Sequence, residues 1–392
     1  MKNKIGEHLE EQLANLSNPV YIVFPESHSG NIQDAFNILK KYPNVKPIPL
    51  SNDILASGAF DELIESFVDE FWEITKKYYE KQFKKGRITQ ETIDVFDKEA
   101  ARKELHDPLN LALMMVRKGY ADAELGGVET TTADHTRKSL YIVEKKRGQN
   151  NIVCSCTVEF ALPHKLEDKV EAISREQKFL TIVDPALGKP SMEYSFLTAK
   201  TTFNSLYEHE EISHEVYQSG LKAIKREKNK YIQLKIEQTL SALRWHYLLT
   251  GERAIGAFIT HSTAGSDKLS QYIKFVRTDL IPAIISSLKE AQKSDELLKN
   301  ASFISEECQV EAAVDPRVGR KKARGAAYAG FANVHVCSSV DAANQHYKTL
   351  LAFEDISSLI CWSGFKKPIY DLSRSSQARD MALSSMGAAL QS

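Results

Sequence analysis

The sequence predicts an α/β protein with a parallel, doubly wound sheet. Short apolar runs have the length and composition of buried strands, and segments with helical spacing of apolar residues follow them. Strands that alternate with helices in this way are typical of parallel sheets. The length of 392 residues allows two or three compact units.

The N-terminal part of the chain contains clear helix signals. From Phe60 to Phe83 apolar residues recur every three or four positions, which predicts one long amphipathic helix. Asp107 followed by Pro108 is typical of a helix start, and Gly119 of a helix end. The other elements predicted here are a strand at 20–25, a helix that ends near Lys40, a helix at 90–105 and a short strand at 121–127.

The rest of the chain repeats the alternation of strands and helices. In the run TTTADHTRKSLYIVEKK the threonines and the aspartate can cap a helix, and they place Arg137 in its opening turns. A long helical segment from Glu211 to Gly251 is locally basic, and a solvated helix face explains that charge better than a partner-binding patch. The strands predicted here lie at 152–160, 180–184, 255–260 and 332–337.

Composition excludes several classes of function. Lysine and arginine total 51 and aspartate and glutamate 52, so the net charge of -1 argues against nucleic-acid binding. Apolar stretches stay well short of the roughly 18–20 residues that a membrane-spanning helix needs. The amphipathic, acidic N-terminus differs from a secretory signal, so we expect a cytoplasmic protein that does not act at a membrane. The five cysteines and the histidines His246, His261 and His335 lack metal-ligand spacing, so no metal site is expected.

The run THSTAGSDK, from Thr260 to Lys268, could bind an anion because it follows a predicted strand and precedes a helix. Its small residues and Gly265 let backbone amides approach a negative charge, and the helix N-terminus adds a favourable dipole. Loops of this composition also cap helices without binding a ligand, and both interpretations stay open.

A second candidate lies near the C-terminus, in the run DLSRSSQARD. Ser375 or Ser376 can cap a helix that leaves Arg374 just outside it and Asp380 in its first turn. Arg374 could hold a phosphate while Asp380 acts as a base. Alternatively, Asp380 only complements the helix dipole and Arg374 forms a surface ion pair.

Six segments, in the same order along the chain, resemble the motifs of the phosphate acetyltransferase (phosphotransacetylase) family, within the phosphate acetyl/butyryltransferase superfamily. The resemblance covers most of the sequence. The segments are IVFPES, DPLNLALMMVRKGYADAELGG, TTTADHTRKSLYIV, THSTAGSDK, QVEAAVDPRVGRKKARGAAYAGFANVHV and KPIYDLSRSS.

For the fold, this resemblance implies two doubly wound α/β domains with mostly parallel sheets and a cleft between them, as in isocitrate and isopropylmalate dehydrogenases. Domain I would comprise residues 1–146 and 367–392, so that the C-terminal segment returns to it. Domain II would comprise residues 147–366, with a helical insertion near 212–250. Family precedent suggests a homodimer.

For the activity, the resemblance implies interconversion of acetyl-CoA plus phosphate with CoA plus acetyl phosphate, by direct attack of the CoA thiol on acetyl phosphate. CoA is a substrate, and no cofactor is expected. Asp380 matches the family's base, Arg374 the arginine that orients acetyl phosphate, and Ser373 the serine beside the developing charge. The substrate-binding residues expected are Arg137, Thr132, Ser262, Thr263 and Gln82.

The sequence departs from the family pattern at several positions. Gln82 stands where the family carries an arginine, and Ala326, Ala327 and Phe331 replace a serine, a proline and a lysine. Propionyl or butyryl transfer therefore remains an alternative to acetyl transfer, as does a non-catalytic module that binds CoA or acyl phosphate. A decarboxylating dehydrogenase shares the two-domain architecture, but its acidic metal-binding cluster is not evident.

Overall fold

The computed structural model describes residues 4–159, 179–187, 195–353 and 356–392. The chain divides into two compact units. Unit 1 comprises Met1–Ile152 and Ser358–Ser392, and unit 2 comprises Val153–Ser357. The sequence predicts these two boundaries at 146/147 and 366/367.

Strands and helices alternate along the chain, as predicted. The strands are β1 Val20–Phe24, β2 Val45–Pro49, β3 Ala123–Gly126, β4 Val153–Glu159, β5 Phe179–Val183, β6 Ile255–Ile259, β7 Ser302–Phe303, β8 Val334–Cys337, β9 Ser357–Ser363 and β10 Ile369–Asp371. The helices are α1 Lys4–Ala14, α2 Gly30–Leu39, α3 Asn52–Ala56, α4 Asp61–Phe83, α5 Gln90–Asp94, α6 Lys98–Leu105, α7 Pro108–Lys118, α8 Thr132–Ile142, α9 Ser195–Glu208, α10 His214–Thr250, α11 Gln271–Phe275, α12 Ile281–Ala291, α13 Val310–Val314, α14 Pro316–Lys322, α15 Val340–Phe353 and α16 Ala378–Ala389.

The sheet of unit 1 has the strand order β10-β3-β1-β2, and all its strand pairs are parallel. Because β2 and β3 lie on opposite sides of β1, the winding reverses between β1 and β3. Open α/β sheets bind ligands at such a point, beyond the carboxyl ends of the strands. The C-terminal strand β10 pairs with β3, so the last segment of the chain reaches the same edge.

Helix α7 shows how local chemistry fixes the bounds of an element. Asp107 caps its N-terminus by accepting hydrogen bonds from the backbone N–H of Leu109 and Asn110, and Pro108 occupies the first turn. Gly119 ends the helix in the left-handed conformation, with φ 79°. The bounds predicted from the sequence are confirmed. Helix α7 is buried beside β1 and β3.

The single helix predicted at 90–105 is wrong, because the chain forms α5 and α6 with a break between them. Asp97 causes the break: its carboxylate accepts the backbone N–H of Ala100 at 2.8 Å and caps α6. The carbonyl of Phe96 also leaves the helical pattern and accepts a hydrogen bond from the indole N–H of Trp72 at 2.9 Å.

In unit 2 the strand order is β7-β6-β8-β5-β4, parallel except for the antiparallel pair β4 and β5. Phe258, Val276 and Val334 lie in its hydrophobic core. The predicted basic helical segment is α10, which Gly251 ends at φ 69°. The predicted strand at 152–160 is β4, and its last residue, Phe160, lies outside the described residues. The prediction of an α/β fold with mostly parallel sheets is confirmed.

Across the described ranges, none of the helices has the length and apolar character needed to cross a membrane.

Candidate active site

Glu26 organises the loop between β3 and α8. It follows β1 at the carboxyl edge of the unit 1 sheet, and only 5% of it is exposed. Its carboxylate accepts backbone N–H groups from Val128 at 2.7 Å, Glu129 at 3.1 Å and Thr130 at 2.7 Å. Hydrogen bonds to an ionised group are stronger than neutral ones, so this buried carboxylate fixes the path of the loop into α8.

Asp371 connects α8 to the C-terminal segment. It ends β10, and its Oδ2 accepts the hydroxyl of Thr132 at 2.6 Å. The next residue, Leu372, donates its N–H to the carbonyl of Gly126 at the end of β3. The predicted site residue Thr132 is therefore attached, through Asp371, to the segment that carries Ser373.

Ser373 and Arg374 form a turn beyond β10. The carbonyl of Ser373 accepts the N–H of Ser376 at 2.8 Å, and the hydroxyls of Ser373 and Ser375 lie 2.9 Å apart. Asn31, in the first turn of α2, donates to the carbonyl of Ser376. Arg374 is exposed at the tip of this turn. An exposed guanidinium beside hydroxyl groups is a suitable binding group for a phosphate.

The helix that carries Asp380 begins later than predicted. Its N-cap is Gln377, and Ser375 and Ser376 do not cap it. The reason is a capping box, in which Gln377 accepts the N–H of Asp380 and Asp380 Oδ2 accepts the N–H of Gln377 at 3.1 Å.

Asp380 is 9% exposed, and its Oδ1 accepts the N–H of Ser358 at 2.8 Å. Burial raises the pKa of Asp380, and the N–H groups of Ser358 and Gln377 oppose that rise. A raised pKa narrows the gap between this carboxyl group and a thiol with pKa about 8.5. Asp380 thus combines a structural capping contact with a shift that favours proton transfer.

Arg137 and Gln82 lie on two helices that aromatic stacking joins. Tyr78 of α4 stacks on Tyr141 of α8, with ring centroids 4.4 Å apart. Arg137 precedes Tyr141 by one helical turn, and Gln82 follows Tyr78 by one turn. The guanidinium of Arg137 is 56% exposed and pairs with Asp134.

Gln82 has an arginine beside it. Its Oε1 accepts a hydrogen bond from Arg87 Nη1 at 3.3 Å, and its carbonyl accepts the backbone N–H of Arg87. The chain therefore has a guanidinium next to the position where the family resemblance leads us to expect one.

In unit 2 the loop from Thr260 to Lys268 closes around a buried carboxylate of its own chain. Glu307 Oε1 accepts the hydroxyl of Ser262 at 2.9 Å and the N–H of Gly265 at 2.6 Å. Thr263 is also buried, and its Oγ1 accepts the N–H of Gln309. The hydroxyls of Ser262 and Thr263 and the amide of Gly265 are therefore already engaged by Glu307 and Gln309.

Six of the eight predicted site residues lie in unit 1, and Ser262 and Thr263 lie in unit 2. The structure brings Thr132, Ser373 and Arg374 together through Asp371. The catalytic and substrate-binding roles of these residues, and of Ser262 and Thr263, stay predictions. Among the described residues no group of three or more His, Cys, Asp and Glu is arranged to hold a metal ion.

The sequence model of the family described as "Phosphate acetyl/butaryl transferase" matches residues 5–165 and 239–389. The chain belongs to this family. A phosphate acetyltransferase from Acetivibrio thermocellus is 26% identical over 381 residues, covering 92% of this chain and 90% of that protein. One from Staphylococcus aureus is 25% identical over 375 residues, covering 92% and 91%. The solved structure of the phosphotransacetylase EutD from Staphylococcus aureus superposes with a TM-score of 0.61 at 22% identity, covering 100% of this chain and 99% of that one.

The sequence analysis does not single out Glu26, Glu124, His135 and Asp371 as site residues. Glu124 gave a usable signal, because a carboxylate in the middle of an apolar strand needs a buried partner. His135 lies 11 residues further along and is that partner, with Nε2 2.9 Å from Glu124 Oε2. Glu26 lies two residues after β1, and Asp371 is the last residue of β10. Carboxylates near strand ends are too common to single out.

Proposed function

We propose that this chain is a phosphate acetyltransferase that interconverts acetyl-CoA plus phosphate with CoA plus acetyl phosphate. The observation that carries the proposal is the buried carboxyl group of Asp380, with its raised pKa, on the same short segment as the exposed Arg374. Membership of the acyltransferase family and the names of the curated relatives support it.

In the direction that forms acetyl-CoA, Asp380 accepts the proton of the CoA thiol. The sulfur then forms a bond to the acetyl carbon, and the bond from that carbon to the phosphate oxygen breaks, so that phosphate leaves with the electron pair. In reverse, a phosphate oxygen attacks the thioester, and the departing thiolate takes its proton from Asp380. Both directions use the same proton on the same carboxylate.

Arg374 and Ser373 stabilise the charge that moves during this reaction. The guanidinium binds the phosphoryl oxygens and compensates the charge of the leaving phosphate. The hydroxyl of Ser373 donates to the oxygen on which negative charge develops at the acetyl carbon. Fixed donors of this kind lower the barrier because they need little reorganisation during the reaction.

The other predicted residues position the substrates. Arg137 and Gln82 contribute to binding the acyl phosphate, and Thr132 acts by fixing Asp371. Ser262 and Thr263 shape a loop of unit 2 that contacts CoA. Binding energy used for orientation contributes to catalysis because it removes the entropic cost of bringing two substrates together.

The test is phosphate-dependent release of CoA from acetyl-CoA, measured in the presence of chelator and without nucleotides. We expect turnover by the wild-type protein and a loss of about 100-fold or more in Asp380→Asn and in Arg374→Ala. Asp97→Asn and Arg102→Ala are matched controls. Asp97 is also a helix-capping aspartate, for which asparagine is an equally good cap, and Arg102 forms surface ion pairs.

Both controls are expected to keep wild-type activity. Absence of wild-type turnover with acetyl-CoA would contradict the proposal. Equal losses in the variants and in their controls would show that the assay follows folding and not the site.

An alternative within the same family is propionyl or butyryl transfer, which the description of the family itself includes. The departures from the family pattern at Ala326 and Phe331 support this alternative, because both side chains pack against an apolar cluster. That cluster contains Ala257 and Ala312. A series of acetyl-, propionyl- and butyryl-CoA under the same conditions decides between the acyl groups by comparing kcat/KM.

We also propose that the enzyme is a cytoplasmic homodimer that needs neither a metal ion nor an organic cofactor. The resemblance to the family supports the dimer. Light scattering coupled to size exclusion tests the mass, and dialysis against chelator followed by the activity assay tests the metal. Subcellular fractionation tests the compartment.

A further inference from the structure

A buried histidine connects two carboxylates at the carboxyl edge of the unit 1 sheet. His135, on α8, is fully buried, as is Glu124 on β3, and Asp371 is 5% exposed at the end of β10. Nε2 of the imidazole lies 2.9 Å from Glu124 Oε2, and Nδ1 lies 3.3 Å from Asp371 Oδ1. The three side chains join elements that are far apart in the sequence.

The imidazole serves both carboxylates only when it carries two protons. A neutral imidazole has one N–H, so one of the buried carboxylates would face a lone pair. Burial by itself lowers the pKa of His135, but Glu124 and Asp371 outweigh this effect and raise it to about 10. The two carboxyl groups therefore favour the doubly protonated imidazole, which can donate to both of them.

Two glycines make room for this cluster. A Cβ atom on Gly126 would lie 2.6 Å from Glu124 Oε1, and one on Gly127 would collide with Asp371 Oδ1. Gly127 also has φ 90°, a conformation that side chains disfavour. Glycine at the last position of β3 and at the next position therefore allows both carboxylates to approach His135.

Asp371 also connects α8 to the predicted catalytic segment. Its Oδ2 accepts the hydroxyl of Thr132, so both oxygens of Asp371 face α8. Two residues later the chain reaches Ser373 and then Arg374. Movement of Asp371 would therefore shift the turn that carries these two side chains.

We propose that His135 is a positioning residue of the transferase, which holds Asp371 against α8 and so fixes the Ser373–Arg374 turn for phosphate binding. The inference rests on the proposed function, because that function gives the turn its substrate. His135 touches neither substrate. Its role is to keep the guanidinium and the hydroxyl in place, and a displacement of about 1 Å in such groups can cost about 100-fold in rate.

The first variant is His135→Gln, whose amide offers donors from one nitrogen and cannot balance two carboxylates. We expect kcat to fall about 10- to 100-fold and KM for phosphate to rise, while KM for CoA changes less than about twofold. His246→Gln is the matched control, since His246 is also fully buried but lies in unit 2, bonded to Thr181. All assays run well below the melting temperature of each variant.

A second variant separates positioning from folding. In Glu124→Gln/His135→Gln one carboxylate is removed together with the imidazolium, so the remaining carboxylate, Asp371, can accept the new amide. We expect this double variant to recover at least about fivefold of the activity that His135→Gln loses, because pairing the remaining charge restores its geometry.

Wild-type kinetic constants in folded His135→Gln would overturn the inference, as would an equal loss in His246→Gln. If His135→Gln does not fold, the milder Glu124→Gln takes its place, with the same selective rise in KM for phosphate expected. If the wild-type protein lacks turnover, the proposed function fails, and calorimetric titration with inorganic phosphate decides the inference. Binding at least about tenfold weaker in His135→Gln supports it, and equal or absent phosphate binding overturns it.

Discussion

The two units use buried carboxylates in the same way at their sheet edges but leave different groups exposed. In unit 1, Glu26 accepts three backbone amides and orders the loop into α8, while Arg374 and Arg137 remain exposed. In unit 2, Glu307 accepts a hydroxyl and an amide of the loop after β6, and Ser262 becomes fully buried. A loop that looks ready to bind an anion can thus be saturated by its own protein.

The buried histidines differ between the units for the same electrostatic reason. His135 faces Glu124 and Asp371, which raise its pKa. In unit 2, His246 has Glu252 Oε2 4.0 Å from its Nε2, and His335 has His346 beside it. Burial lowers the pKa of each to about 3. Burial alone therefore does not fix the charge of a histidine, and its neighbours decide it.

Replacing one glycine in each loop with alanine is expected to have a large and different effect on the stability of the two units. Alanine at Gly127 would collide with Asp371, which β10 and His135 hold in place, and it would adopt φ 90°. Alanine at Gly265 would meet the end of the flexible Arg277 side chain at φ 73°. We expect Gly127→Ala to lower the free energy of unfolding by about 2–4 kcal/mol, and Gly265→Ala by about 1–2 kcal/mol.

Urea unfolding followed by circular dichroism measures both effects, with Gly86→Ala as a control. Gly86 also has a positive φ, of 67°, but a Cβ atom there meets no other atom. If Gly127→Ala is no less stable than Gly86→Ala, then backbone strain alone accounts for the cost, and the packing of Asp371 against this loop is looser than described.

Removing one hydroxyl group in each unit compares how the two sheet edges contribute to activity. Thr132 donates to Asp371, and Ser262 donates to Glu307, so removing either hydroxyl leaves a carboxylate short of one donor. We expect Thr132→Val and Ser262→Ala each to cost about 1–3 kcal/mol of stability. Activity of the folded enzyme should fall about tenfold in Thr132→Val and less than about threefold in Ser262→Ala.

Chemical unfolding and steady-state kinetics on the same preparations test this pair. A loss of activity in Ser262→Ala as large as in Thr132→Val would show that the Ser262 hydroxyl itself binds substrate. It would confirm the substrate-binding role that the sequence predicts for Ser262.

The sequence predicts the long and well-capped elements, because their signals are local. Asp107, Pro108 and Gly119 define α7 within a few residues, and apolar spacing defines α4. The strands β2 and β10 are missed since their pairing partners are distant: β2 contains two prolines, and β10 has three residues. Short strands like these are held by β1 and β3 and have little pattern of their own.

The candidate site is predicted only in part, because some of its contacts join residues that are distant in the sequence. Arg374 and Asp380 lie in a segment that the family resemblance identifies, and the structure adds the burial of Asp380. The cluster of Glu124, His135 and Asp371 cannot be predicted from the sequence, because its members come together only when β10 pairs with β3. The engagement of Ser262 by Glu307 depends in the same way on a contact across 45 residues.

The two buried histidines predict a pH dependence of stability with opposite sign in the two units. The pKa of His135 is raised to about 10 from about 6.5, so the stability it contributes is fully present below pH 6.5 and is lost as pH rises towards 10. The pKa of His246 is lowered to about 3, so its contribution is present above pH 6.5 and is lost as pH falls towards 3.

Melting temperatures across this range test the signs. The difference between wild type and His135→Gln should shrink by about 3 °C or more from pH 6.5 to 10, and the difference between wild type and His246→Gln should shrink from pH 6.5 to 4. Glu124 and Asp371 lie beside His135, Glu26 lies near Glu124, and burial raises the pKa of Glu124. The double variant Glu124→Gln/His135→Gln, which lacks both titrating groups of the closest pair, should therefore differ from His135→Gln on the acid side. If the difference in melting temperature between wild type and His135→Gln stays constant up to pH 10, then His135 is neutral and other groups hold one of the carboxylates.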